Sequence, residues 1–170
     1  FSAIVSSTQD TLPPSTPTIT AEPVFTNGTL NSIAWSTSVD TGAGGVEYWV
    51  QQSRSAVFAT LEDESGWISV TSYTFTKLDD TVTYYYRVKA HDLLGQESVY
   101  SATTLSTQDN APPTNPVIAP EPPYTAGTSN TISWGAALDA GVGAVQYFGE
   151  MSTSSTFSSV TAAVGWTGLT

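Results

Sequence analysis

The clearest pattern in the chain runs from Leu78 to Asp92, L-D-D-T-V-T-Y-Y-Y-R-V-K-A-H-D, where a strict alternation follows an acidic turn. Tyr84, Tyr86, Val88 and Ala90 fall on one side of an extended strand and Tyr85, Arg87 and Lys89 on the other, the period of a half-buried strand. Leu78 precedes Tyr84 across a polar turn, the arrangement of a tyrosine corner, in which the phenol bonds back to upstream backbone and pins the turn. Shorter alternations come earlier. Ile33 and Trp35 alternate with Ser32, Ala34 and Ser36, and Val46, Tyr48 and Val50 with Glu47, Trp49 and Gln51, which sends Trp35 to the core and Trp49 outward. Further strands are predicted around Thr18 to Ala21, over Gly66 to Val70, through Tyr73, Phe75 and Leu78, and over Tyr100 to Leu105, with Arg54 to Glu64 as a loop. Asn27-Gly28, the Gly-rich run from Thr41 to Gly45, and Asp92-Leu93-Leu94-Gly95 are turn signals, while Pro13, Pro14 and Pro17 mark a linker and an edge. Short strands between such turns, with no helical period, predict an all-β, immunoglobulin-like sandwich of about 100 residues.

Sliding the chain against itself uncovers a second regularity. At an offset of 99, Ser7-Thr8-Gln9-Asp10 recurs as Ser106-Thr107-Gln108-Asp109, Pro13-Pro14 as Pro112-Pro113, Glu22-Pro23 as Glu121-Pro122, and Trp35 as Trp134. Asp40, Gly42, Gly44, Val46 and Tyr48 return without a gap at Asp139, Gly141, Gly143, Val145 and Tyr147, and Gly66-Trp67 at Gly165-Trp166. Of the 71 superposable positions, 29 are identical, so the expectation is a tandem array of one domain type with a 99-residue period. Residues 1–10 then read as the last strand of a preceding repeat, 11–109 as a complete domain, and 110–170 as a following repeat that lacks its last three strands. Ile118, Tyr124, Ile132, Trp134, Leu138, Val145, Tyr147 and Phe157 match core or near-core positions of the complete repeat. Leaving about eight such side chains uncovered forfeits on the order of 10 to 20 kcal/mol of burial, as much as a domain's whole stability. The partial repeat is therefore expected either to continue past Thr170 or to receive its missing strands from another molecule.

Trp35 in the second strand, Leu78 with Tyr84 at the corner, the Pro13-Pro14 start and the Asp92 to Ser98 hairpin together resemble the fibronectin type III repeats of bacterial secreted proteins, over the whole chain. The resemblance implies the two-sheet sandwich and says little about function. No Arg-Gly-Asp tripeptide occurs, so integrin binding has no support.

Charged residues make up only 11% of the chain, so its polar surface comes mainly from Ser, Thr, Asn and Gln, as suits a secreted β protein. A net charge of −11 disfavours nucleic acid and anionic membrane as partners and favours divalent cations. There is no cysteine, and no apolar run approaches the roughly 18 residues of a membrane span.

His91 is the single histidine and reads as a solvated loop residue, so neither a thiol nucleophile nor a multi-histidine metal site can be assembled and no catalytic residue is expected. Lys77 and Lys89 fall on polar positions, unsuited to a buried isopeptide cross-link. In the predicted sandwich the N-terminal linker, the loop between strands two and three, and the loop between strands six and seven gather at one end. Asp10, Asp40 and Asp92 occupy those places, with Asp109 and Asp139 as their counterparts in the following repeat. Converging hard oxygens at a domain junction suit Ca²⁺, although each aspartate could equally cap its own loop. No cofactor is otherwise required. Trp49, its counterpart Phe148, and Tyr85 point outward and form the candidate interaction surface, for a neighbouring repeat, a copy of the same protein, or glycan.

The chain is thus expected to be a structural or adhesive segment of an extracellular or cell-surface tandem-repeat protein, a stalk, fibre, sheath or surface-layer component. The alternative is a carbohydrate-binding or spacer module of a secreted polysaccharide-degrading enzyme.

Overall fold

A computed structural model of the chain describes residues 2–42, 44–141 and 144–168; Phe1, Gly143 and Thr170, which figure in the sequence reading, lie outside these. Two compact units divide the chain, Phe1–Asn110 and Ala111–Thr170. Among the described residues no helix is long and apolar enough to cross a membrane.

The first unit is built from β1 (Phe25–Asn27), β2 (Leu30–Ala34), β3 (Glu47–Ser53), β4 (Asp63–Glu64), β5 (Ser72–Thr76), β6 (Thr83–His91) and β7 (Thr104–Asp109). One sheet runs in the order β1-β7-β6-β3-β4, and β2 with β5 forms the other, extended by a bridge between Ile19 and Trp35. Ile33, Trp35 and Phe75 from the second sheet meet Tyr48, Val50, Tyr84, Tyr86, Val88 and Ala90 from the first, with the Phe75 and Tyr86 rings 5.3 Å apart. This is the all-β, immunoglobulin-like sandwich the alternation predicts, and β6 buries every second side chain as read.

At the corner Leu78 is buried and the Asp79 N–H donates to Tyr84 Oη at 3.0 Å. Tyr84→Phe is expected to cost about 1 kcal/mol, seen as a lower urea midpoint at unchanged slope. An unchanged midpoint would mean that the corner bond contributes nothing net.

Two elements sit elsewhere than predicted. The last strand is β7, Thr104–Asp109, not Tyr100 to Leu105, because its pairing with β6 runs from Thr83↔Thr107 to Tyr86↔Thr104, leaving Tyr100 free to lie over side chains on the outer face. The segment Gly66 to Val70 contributes one bridge, Tyr48↔Ile68, and the strand forms instead at Asp63–Glu64, inside the predicted loop. Gly66, at φ 67, interrupts the extended run between the two, a conformation glycine adopts at no steric cost. Residues 2–10 form no strand although their sequence matches 101–109; β7 has β6 and β1 beside it to complete its backbone hydrogen bonds.

The second unit contains β8 (Tyr147–Met151) paired antiparallel with β9 (Ala162–Thr167). Its local geometry repeats that of the first unit 99 residues on. Ile118 bridges Trp134 as Ile19 bridges Trp35. The Trp134 and Tyr147 rings lie 5.6 Å apart at 55°, the Trp35 and Tyr48 rings 5.7 Å apart at 57°. The Ala137 N–H donates to Tyr147 Oη at 2.8 Å, as the Ser38 N–H does to Tyr48 Oη at 2.8 Å. Phe157 and Phe58 both take positive φ, 49 and 53.

What does not repeat is pairing across the core. Residues 129–133 match β2 yet form no strand, since β2 is a strand by virtue of β5, and no counterpart of β5 lies among the described residues of this unit. Ile132 is 42% exposed where Ile33 is fully buried. Three of the eight expected core positions are surface positions in both units. Leu138 is 74% exposed, but so is its counterpart Val39 at 67%; Tyr124 matches the exposed Phe25; and Phe157 matches Phe58, which packs on the outer face under Arg87.

Candidate functional site

Three segments of the first unit bring acids together. The linker supplies Asp10, the β2–β3 loop Asp40, and the residue after β6 Asp92, and one carboxylate oxygen from each lies within 4.8 Å of the others. Each aspartate also closes its own turn: Oδ1 accepts from the N–H two residues on, Leu12 at 3.2 Å, Gly42 at 3.1 Å and Leu94 at 2.8 Å. Local capping and convergence therefore coexist, because a carboxylate has a second oxygen to offer. Asp40 Oδ2 is buried with no hydrogen-bond partner. Gly42 leaves room for the cluster, since a Cβ there would fall onto the Asp10 carboxylate.

Asp92 is the anchor, 1% exposed. Gln96 donates its backbone N–H to Oδ1 at 2.9 Å and its side-chain Nε2 to Oδ2 at 2.9 Å, and the same Nε2 reaches the Asp10 carbonyl at 3.3 Å. Burial alone would push the Asp92 carboxyl up, but the donors from Gln96, Leu94 and Gly95 outweigh it and hold the group below the usual carboxylate range. A lowered folded-state value stabilises the fold above the unfolded value of about 3.9 and withdraws that stability as pH falls through the folded value. Between pH 5 and pH 2 the melting temperature is expected to fall more steeply for the native chain than for Asp92→Asn; parallel curves would exclude Asp92 as a source of acid sensitivity.

Asp109 and Asp139 belong to different units. Asp109 ends β7, where its carbonyl accepts from the Gly28 N–H at 3.2 Å, and Asp139 Oδ1 accepts from the Gly141 N–H at 2.9 Å, as Asp40 does from Gly42.

The outward aromatics are engaged within their own units. Trp49 meets Trp67 edge-on at 5.3 Å and donates Nε1 to Glu64 Oε2 at 3.0 Å. Trp67 stacks on His91 at 3.7 Å, Lys89 lies over both Trp67 and Tyr100, and Arg87 sits 4.0 Å from the centres of Phe58 and Tyr100. Phe148 packs on Trp166 at 5.6 Å. Tyr85 is half-buried on the same face of β6. His91 is thus no solvated loop residue: it ends β6, stacked on Trp67 with Nε2 3.0 Å from Glu47 Oε2. Lys89 is likewise largely covered, its Nζ 2.5 Å from Glu97 Oε2.

No family model matches the chain, and no curated protein matches it. Solved structures do. The chain is similar to part of a β-1,2-glucanase from Parabacteroides distasonis, at 18% identity over 58% of this chain and 13% of that one, with a TM-score of 0.44. It is similar to the sixth fibronectin type III domain of human fibronectin type III domain containing protein 3, at 20% identity over 65% of this chain and 99% of that one, TM-score 0.44. A PKD domain of an M14-like peptidase from the Thermoplasmatales archaeon SCGC AB-540-F20 is similar at 24% identity over 58% of this chain and 97% of that one, TM-score 0.41.

Sequence reasoning missed Gln96, which fastens Asp92 to the Asp10 backbone, and the stacked face of rings and cations. A glutamine carries no distinctive chemical signal. The face was half legible, as Arg87, Lys89 and His91 alternate on one side of β6, but the rings between them come from Phe58, Trp67 and Tyr100 in three other segments.

Proposed function

We propose that the chain is a structural spacer from an extracellular, tandemly repeated protein, in which sandwich domains of one type follow one another and Asp10, Asp40 and Asp92 bind Ca²⁺ where the linker meets the loops. The observation that carries this reading is the recurrence of side-chain geometry at an offset of 99, from the Trp–Tyr ring pair to the Tyr hydroxyl bond. The donor set suits the ion. Calcium takes six to eight hard oxygens at about 2.4 Å, so two ligands of one ion lie no more than about 4.8 Å apart, which three carboxylate oxygens satisfy here. The unpartnered Asp40 Oδ2 is the oxygen most in need of a cation. The glycan-binding alternative finds less support, because Trp49, Trp67 and Tyr100 already carry one another's edges or the cations Lys89 and Arg87.

Thermal unfolding in Ca²⁺ and in chelator tests the site. At free Ca²⁺ ten times Kd the fold gains about 1.4 kcal/mol by linkage, a rise of about 6 to 11 °C for a domain of this size. Asp40→Asn and Gly42→Ala are expected to abolish the rise, the first by removing a ligand and the second by expelling the Asp10 carboxylate. Superimposable curves with Ca²⁺ and chelator would exclude the ion. Turnover of any polysaccharide by the purified chain would exclude the spacer reading.

A further inference from the structure

The second unit holds an open groove of about 630 Å³ lined by Ile118, Ile132, Trp134, Tyr147, Met151 and Val164. Three of these have first-unit counterparts, Ile33, Trp35 and Tyr48, that lie in the buried core with Phe75, Tyr86 and Val88. The covering interface is therefore established 99 residues earlier, and its pattern can be transferred. There β3 uses one edge for β4 and the other for β6, antiparallel from Glu47↔His91 to Ser53↔Tyr85. In the second unit β8 pairs with β9 on the edge that corresponds to β4, with Tyr147↔Thr167 matching Tyr48↔Ile68. Among the described residues no strand pairs with its other edge.

Charge gives the groove a preference. In the first unit Gln51 Oε1 accepts from Arg87 Nε at 3.0 Å and from its amino nitrogen at 2.8 Å. The counterpart of Gln51 is Glu150, exposed on β8. Trp166, the counterpart of the Trp67 that Lys89 lies over, packs beside it on Phe148. Residues 111–170 contain no Lys or Arg but do contain Glu121, Asp139 and Glu150. A face with a carboxylate and two rings, and no cation of its own, is complementary to a strand that carries cations on its outward side.

We infer that this groove is the docking site of an extended polypeptide strand of defined chemistry: aromatic or aliphatic side chains at every second position to fill the groove, arginine or lysine at intervening positions to meet Glu150 and Trp166, added antiparallel to the free edge of Tyr147–Met151. Tyr84 to Ala90, Y-Y-Y-R-V-K-A, is the instance of that chemistry within this chain. Backbone hydrogen bonds to the edge supply affinity and the alternate side chains supply specificity, as in other cases of strand addition. The inference goes beyond the spacer reading and is independent of the calcium site.

The test adds a synthetic peptide of the sequence Leu78 to Asp92 to the full chain and follows amide hydrogen exchange. Saturating peptide is expected to slow exchange in Tyr147–Met151 and Ile132–Trp134 at least about tenfold, with Glu47–Ser53 unchanged because β6 already covers that edge. A peptide with Tyr84→Ser, Tyr86→Ser and Val88→Ser should give no protection, and Glu150→Gln and Glu150→Lys in the chain should weaken binding about threefold and tenfold. No protection by the native peptide overturns the inference. Equal protection by the serine peptide, or unchanged affinity in Glu150→Lys, overturns the stated chemistry. Protection that rises with chain concentration in the absence of peptide would make a second copy the occupant, which also overturns it.

Discussion

Trp35→Ala is expected to abolish cooperative folding of the first unit, while Trp134→Ala, the same change 99 residues on, leaves the second unit's exchange pattern nearly as it is. Trp35 is 5% exposed, closed in between the two sheets with its ring 5.7 Å from Tyr48. Removing a large buried aromatic costs about 3 to 5 kcal/mol, the transfer free energy of its surface plus the cavity left behind, out of a domain total of about 5 to 15. Trp134 keeps the ring contact with Tyr147 but is only half-buried above an open groove, so truncation loses about 1 to 2 kcal/mol of burial and leaves no enclosed cavity. Hydrogen exchange resolved by peptide separates the two units in one experiment. Equal destabilisation of both would mean that the second unit's core is covered as fully as the first.

The same pair of residues marks how far the sequence was legible. Alternation placed the side chains of β6 and the corner at Leu78 and Tyr84, because both depend on neighbours within one turn or one strand. It also placed Asp10, Asp40 and Asp92 at one end, because sandwich topology brings those three connections together whatever their detailed path. It failed for residues 129–133, whose pattern is nearly that of Leu30–Ala34. A strand is a property of a pair, and period 2 in one segment does not report whether a partner is present. It failed again at β4 and at the parallel pairing of β1 with β7, where short polar segments acquire strand geometry only from the ladders they join. The outer face was misjudged for a related reason. Trp49 does point away from the core, but in a small sandwich the outside of a sheet can be covered by its own loops, here through Trp67 and the Tyr100 segment.

That cover has an energetic centre at Arg87, and Arg87→Ala is expected to destabilise the first unit by about 3 kcal/mol although the residue lies on the outward side of β6. Its guanidinium lies 4.0 Å from the ring centres of Phe58 and Tyr100, and its Nε and one amino nitrogen both donate to Gln51 Oε1. Each partly desolvated cation–π contact contributes about 0.5 to 2 kcal/mol, and a hydrogen bond from a charged donor about 1.5 to 3. Gln51 is itself buried, so truncation leaves its oxygen without a donor as well as freeing two rings and the loops that carry them. Arg87→Lys keeps the charge but not the planar fork, and one ammonium cannot lie between two rings while making two parallel hydrogen bonds; it is expected to restore less than half the loss. Equilibrium urea unfolding of the three proteins measures both steps. If lysine restored full stability, net charge on the outer face would be what matters, and the stacked geometry around Phe58 and Tyr100 would be incidental to holding the loops on the sheet.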